Sequence, residues 1–447
     1  MTGVLPFERA HAYLLSTIDE STSRKTSYKL DRMRAFLKEL GEPHLAYPTI
    51  HVGGTSGKGS TSTMIAGVLQ AAGRRTGLHT KPHLRDATER ARIDGIAISP
   101  ERFAALLDEM MPAIERVAAS YGRPTYYETL LAMAFAHFAA ERVDAAVIEV
   151  GLGGRLDGTN VIRPVATAIT SVGYDHTEVL GDTLAAIARE KGGIAKKNVP
   201  FVVAPVPAEA AGVLEEAARG AGAPLIAVQD AVRIAPVPGA PGGVPQRFVA
   251  ETQRARYRVE LPVRGTFQVT NAATAIAVLE ALPEALRPDR RAVERGLARI
   301  TIPGRMELFG GDPPIVFDIA HNAEKARGLA DSLRAEFGDA TMHFVVAIGQ
   351  SKDAARILEI LGALESRFTF TSFAIAGRRA ISPHDLAGQA RALGRPASVV
   401  DDPAEALRAA CAAARRGDVV VVTGSTFVVA ATRESRLAET SAGERSA

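Results

Sequence analysis

Cysteine is nearly missing from these 447 residues: Cys411 stands alone, so no intrachain disulfide can form, and such usage fits a reducing cytosol. No apolar run approaches the length of a membrane span, and Met1 to Ala10 lacks the apolar core of a secretion signal. A cytoplasmic protein with no membrane partner is therefore expected. A lysine/arginine run is also absent, and a formal net charge of +3 over this length gives no argument for nucleic acid. Internal repeats and low-complexity segments do not occur. What is present, 47% hydrophobic and 23% charged residues, is the balance of a soluble globular enzyme. The length exceeds one ordinary core, so two or three domains are expected.

Apolar residues recur at helical spacing from Phe7 to Ile18 and from Leu30 to Leu40, with Gly41-Glu42-Pro43 as a stop. Strands and helices then alternate. Thr49–Val52, Thr76–His79, Ala145–Val150 and Val165–Val172 read as strands, and Thr61–Ala72, Glu101–Ala119 and Tyr127–Ala140 as helices. This alternation predicts a parallel sheet covered by helices, with ligands at the carboxyl ends of its strands. Val232 to Val263 is proline-rich and only partly β-like, and Gln268 to Leu282 returns to a helix. The pattern breaks around Thr301-Ile302-Pro303-Gly304. A second α/β series follows, with strands at Ile315–Ile319, His343–Ile348, Phe368–Phe373, Ala397–Val400 and Val419–Thr423. The expected division is 1–300, 301–433 and a frayed polar tail at 434–447.

The most informative stretch is Ile50-His51-Val52-Gly53-Gly54-Thr55-Ser56-Gly57-Lys58-Gly59-Ser60. An apolar strand runs into a glycine-rich turn, a lysine, a hydroxyl and a helix. Such a turn aims backbone N–H groups into one concavity at a helix N-terminus, where phosphate binds. Lys58 would neutralise the β/γ-phosphates and Ser60 could reach Mg²⁺; Gly59 between them departs from the usual P-loop spacing. A turn without a ligand is the competing reading. Glu149 closes a buried strand and precedes Gly151-Leu152-Gly153-Gly154, which suits a carboxylate compensated by a cation. Taken alone, Glu149 also reads as a capped surface residue, His176 as a hydrogen-bonding loop residue, and Lys191 beside Glu190 as a solvated pair.

Together these segments resemble the folylpolyglutamate synthase/dihydrofolate synthase branch of the Mur ligases. Residues 51–60 resemble HVAGTNGKGS, 89–95 resemble ERxRxNG, and 149–160 are similar to EVGLGGRLDATN. Asp175–Gly181 is similar to DHTxxLG, Glu190–Ile194 to EKAGI, and Phe267–Ala273 to the HQxxNAA segment. Pro303-Gly304-Arg305 looks like PGR, Asp318–Asn322 like DGAHN, and Gly424-Ser425 falls where the family has a C-terminal GS. The resemblance implies an N-terminal P-loop-like Mur ligase central domain and a smaller Rossmann-like α/β C-terminal domain. It also implies an ATP- and Mg²⁺-dependent ligase, expected as a monomer, acting on L-glutamate and a pteroate or folate carboxylate.

Site roles follow from the same resemblance. Ser56, Gly57, Lys58, Gly59 and Ser60, with Asn271, Arg305 and Asp318, would bind ATP. Glu149, His176 and Lys191 as a CO₂-derived carbamate, with Ser60, would hold Mg²⁺. Lys58, Lys191 and His321 would serve catalysis, His321 and Ser425 facing the incoming glutamate. Thr125, Tyr126, Tyr127 and Glu128, with Leu156, Asp157 and Gly158, match positions that contact the pteroate. Three departures stand out: Ser56 replaces an asparagine, Ile319 replaces the glycine of DGAHN, and Lys81 stands where the family usually has a serine ligand of Mg²⁺. Lys81 either points at the triphosphate or turns outward. Two other functions remain open on the sequence: a Mur-type ligase for a different acid or amine, and a nucleotide-binding regulator without catalysis.

Overall fold

The computed structural model describes residues 6–18, 30–237, 244–375 and 378–444. The chain forms two compact units: the first runs to residue 237 and includes Arg247–Pro262 and Gln268–Ile300. The second takes Thr301 onward together with 244–246 and Val263–Phe267.

The first unit is built on eight strands: β1 Thr49–Gly53, β2 Thr76–His79, β3 Arg92–Ile93, β4 Ile96–Ala97, β5 Ala145–Glu149, β6 Pro164–Ile169, β7 Phe201–Val203 and β8 Leu225–Ala227. Their order across the sheet is β4-β3-β2-β5-β1-β6-β7-β8. The six strands from β2 to β8 are parallel, while β3 and β4 fold back antiparallel at one edge. Every residue of β1 and β5 is buried, which explains why both read as continuous apolar runs. Alternate residues feed two cores. Ala146 and Ile148 join Phe36, Phe103, Phe135 and Phe138, whereas Ile169, Phe201 and Val203 join Ile187 and Leu214.

The central position of β1, between β5 and β6, makes the loop after it the crevice of an open α/β sheet. The strand expected to continue to Val172 ends at Ile169, because the chain beyond it turns to bond that loop. A separate antiparallel sheet, β9 Arg233–Pro236, β10 Gln246–Glu251 and β11 Arg256–Leu261, buries Tyr257, Val259 and Leu261 on one face. The excursion read as partly β-like holds this three-stranded sheet.

In the second unit, β12 Glu307–Phe309, β13 Ile315–Phe317, β14 Met342–Val346, β15 Ser366–Phe370, β18 Ala397–Val399 and β19 Val419–Thr423 form one sheet, β16 Ala374–Ile375 and β17 Arg378–Arg379 a separate ribbon. The six-stranded order is β12-β13-β19-β14-β15-β18, with β12 alone antiparallel. The chain then continues as a helix, Thr426–Glu444. Glu434 to Glu444, expected as part of a polar tail, continues this helix, and Arg433 before it is anchored by Glu307 at 2.7 and 2.8 Å. Residues 445–447 lie outside the described residues.

Candidate active site

The loop after β1 is held by its neighbours before any ligand arrives. Thr55 N–H donates to Ser171 O at 3.0 Å and Ser56 N–H to Ser171 Oγ at 2.8 Å. Thr170 Oγ1 donates to Ser56 O at 2.6 Å, and Gly173 N–H to Thr55 Oγ1 at 3.0 Å. Gly54 has φ +141°, and a Cβ there would lie 2.2 Å from Thr170 Oγ1; only glycine fits. Gly57, at φ +81°, caps the helix Lys58–Ala71, and a Cβ on it would meet Asn271 Oδ1 at 2.3 Å. Asn271 therefore lies against the loop, itself oriented by donating to Gln268 Oε1 at 2.9 Å.

The helix begins at Lys58, so Lys58, Gly59 and Ser60 contribute first-turn N–H groups that have no intrahelical acceptor. Lys58 Nζ folds over the loop, donating to Gly54 O at 2.9 Å and Thr55 O at 3.1 Å. Ser56 Oγ is buried with no protein partner, an orphaned hydroxyl that a phosphate oxygen would satisfy. A turn of free amides, a lysine and an orphaned hydroxyl fits a nucleotide triphosphate.

The adjacent strand ends supply the remaining charge. Glu149 is buried, and its Oε2 accepts the Lys81 backbone N–H at 3.0 Å. It also lies against the start of the helix: a Cβ at Gly59 would sit 3.3 Å from the same oxygen. Lys191 is buried on the helix Leu184–Gly192 and donates from Nζ to Gly54 O at 3.0 Å. Glu149 and Lys191 thus approach the phosphate loop from two sides. His176 is different. It has φ 54°, and its ring lies 3.8 Å from Asp175 Oδ1 and 3.6 Å from Glu178 Oε1. Among the described residues no three His, Cys, Asp or Glu side chains gather as metal ligands. A carbamate on Lys191 would convert that cation to an oxygen ligand.

Thr125 and Glu128 form a capping box on the helix Tyr126–Ala140, a use that the sequence reading, which matched both to substrate, did not assign. Glu128 is further tied to Arg32 at 2.8 Å in a buried ion pair. Tyr127 Oη donates to Asp157 Oδ1 at 2.9 Å. Asp157 also accepts from Leu152 N–H at 2.7 Å and from Thr159 N–H and Oγ1 at 3.0 and 2.6 Å. It anchors the glycine-rich loop, while Gly158 sits over Tyr127 and Leu131 and Leu156 stays exposed. Tyr126 packs partly buried against the core.

His51 and Thr159 were given no role by the sequence reading. His51, on β1, has its Nε2 2.8 Å from Thr159 Oγ1. Because Thr159 gives its hydroxyl proton to Asp157, His51 is the donor to Thr159, so the phosphate strand and the Asp157 loop share one hydrogen-bonded chain. Burial holds His51 at about 3, with Asp157 opposing the shift. Lys81 is half-buried: burial first, then the charge of Lys58, draws its pKa down to about 8 while Asp157 and Glu149 pull it up.

In the second unit, Asp318 follows β13 and accepts Met306 N–H at 2.9 Å and Ala320 N–H at 2.8 Å. Burial raises its pKa against the pull of Arg305. His321 Nδ1 bonds Ile319 O at 2.8 Å, and Lys325 Nζ meets its Nε2 at 3.1 Å. Ser425, buried, accepts Phe427 N–H at 3.1 Å. Lys325 was not singled out by the sequence reading.

Two family models match, the Mur ligase middle domain over residues 52–279 and the Mur ligase glutamate ligase domain over 304–426. The chain is 33% identical over 410 residues to the dihydrofolate synthase/folylpolyglutamate synthase of Bacillus subtilis, covering 91% of this chain and 94% of that one. Its fold is similar to that of Mycobacterium tuberculosis folylpolyglutamate synthase complexed with ADP and AMPPCP, at TM-score 0.86 and 30% identity over 96% and 98% of the two chains. It is also similar to E. coli FolC in complex with DHPP and ADP, at TM-score 0.85 and 27% identity over 98% and 99%. With both ligase domains matched in order and a curated relative aligned along nearly its full length, the chain belongs to the folylpolyglutamate synthase/dihydrofolate synthase family of ATP-dependent Mur ligases.

Proposed function

We propose that this enzyme joins L-glutamate to the carboxylate of a pteroate or folate acceptor, with ATP converted to ADP and phosphate. The observation that carries this reading is the meeting of Lys58, Glu149 and Lys191 at one loop, between the carboxyl ends of β5 and β6. The acceptor carboxylate is activated as an acyl phosphate, and the amine of L-glutamate then displaces phosphate. Lys58 and the first-turn N–H groups of its helix offset charge on the transferred phosphoryl group. Asn271, Arg305 and Asp318 orient the nucleotide, and His321 and Ser425 receive glutamate. Glu149, His176, Ser60 and the Lys191 carbamate are the residues that would hold Mg²⁺, which when bound polarises the phosphoryl oxygens. Tyr127, Leu156, Asp157 and Gly158 form the acceptor's wall, stiffened by the Thr125–Glu128 cap.

The protein works as a cytoplasmic monomer in this reading; no helix among the described residues is long and apolar enough to cross a membrane. The test is ADP release with dihydropteroate or tetrahydrofolate, each with and without L-glutamate. Turnover that needs both a pteridine acid and glutamate is expected. ATP turnover that ignores both pteridine acids and requires some other acid would remove the proposed acceptor while leaving the ligase.

A further inference from the structure

The sheet order places β2, β5 and β1 side by side, so the residues leaving their carboxyl ends share one edge of the phosphate site. His79 pairs with Ile148, and Val52 with Glu149, which puts Lys81, Glu149 and the Gly53–Lys58 turn in a row. The Lys81 backbone N–H is fixed on Glu149 Oε2 at 3.0 Å, and Lys58 Nζ is fixed on two loop carbonyls. Glu149 therefore stands between two lysines.

Among the described residues neither lysine forms an ion pair with a carboxylate. The nearby carboxylates are already engaged: Asp157 accepts from Tyr127, Leu152 and Thr159, and Glu149 from Lys81's own amide. Two half-buried lysines at neighbouring strand ends, without a carboxylate partner, lose solvation that nothing on the protein repays. An anion lying across the row relieves that cost. The Lys58 ammonium has three N–H directions and uses two on the loop, so it too keeps one for such an anion.

We propose that Lys81 is a built-in cation of the nucleotide site, meeting the triphosphate from the β2 side while Lys58 meets it from the β1 side, so that the triphosphate binds with part of its charge covered by protein instead of divalent metal. This rests on the ligase reading above. It differs from that reading in what it predicts for binding without metal.

The experiment is calorimetric titration of the full chain with AMPPCP and with ADP, in EDTA and across a Mg²⁺ series. The parent is compared with Lys81→Arg, Lys81→Ser and Lys81→Met, each checked by thermal unfolding. The parent and Lys81→Arg should bind AMPPCP in EDTA. Lys81→Ser and Lys81→Met should bind it at least about tenfold more weakly there, the loss for ADP should be smaller, and added Mg²⁺ should narrow the gap for serine, which can ligate metal. Equal AMPPCP affinities in EDTA for all four proteins would overturn the role of Lys81. Were the parent meanwhile to release ADP in a glutamate-dependent way, the ligase reading would stand alone. A parent that binds neither nucleotide, with or without Mg²⁺, sinks both.

Discussion

Lys58 is held over the phosphate loop by two carbonyls, a posture that keeps an ammonium ready without letting it wander. Removing it should lower ATP turnover by at least about a hundredfold, since preorganised charge at a transferred phosphoryl group carries several kcal/mol. Lys58→Ala should melt at nearly the parent temperature, and near-normal glutamate ligation by a folded mutant would reject the phosphate role. Lys191, buried beside the same loop, should be nearly indispensable as well. Lys191→Ala should recover part of its activity with added short carboxylates, which replace the missing oxygens. An intact mass without the 44 Da of CO₂, together with an active mutant, is the contrary result. Residue identities at the loop were legible because glycine, lysine and hydroxyl types stand together in sequence. His51 and Thr159 were not, since their hydrogen bond joins positions 108 apart and neither residue carries a signal of its own.

Helix and strand starts were read less well than their existence. The helix after the loop begins at Lys58, three residues before the apolar pattern at Thr61 shows itself, because a left-handed glycine rather than a hydrophobic residue sets its start. β1 and β5 were plain as short continuous apolar runs. β3 and β4, two residues each, offer no period to detect. The Thr-x-x-Glu spacing at Thr125 is a cap signal that the substrate assignment passed over. Its geometry yields a test that separates the two. Thr125→Ala should cost about 1 kcal/mol of stability through the lost cap, measured by urea unfolding. Should the variant keep its stability and instead raise the acceptor KM alone, the residue serves substrate and not the helix.

At the scale of the whole molecule, two buried histidines tie stability to pH. Burial holds His51 at about 3 and His79 at about 4, against 6.5 for the free side chain. Below about pH 6.5 the unfolded chain takes up protons that the folded chain refuses. Stability contributed by these neutral rings is therefore complete above that pH and is lost as pH falls toward 4, at up to about 1.4 kcal/mol per pH unit for each ring. The melting temperature should drop between pH 7 and pH 5, and His51→Gln should flatten the drop; an unaltered slope would show that His51 does not drive it. The parallel α/β class was legible from alternation over hundreds of residues. The inclusion of residues 244–246 and Val263–Phe267 in the second unit was not, because that assignment depends on contacts and not on local pattern. The Lys191 contact with Gly54 reaches furthest. An amine that takes up CO₂ keeps one N–H, so the bond to the Gly54 carbonyl survives while two oxygens are added. If so, dissolved carbon dioxide is a ligand of the folded chain by mass action. The melting temperature should rise in bicarbonate relative to degassed buffer at the same pH, and the rise should vanish in Lys191→Ala.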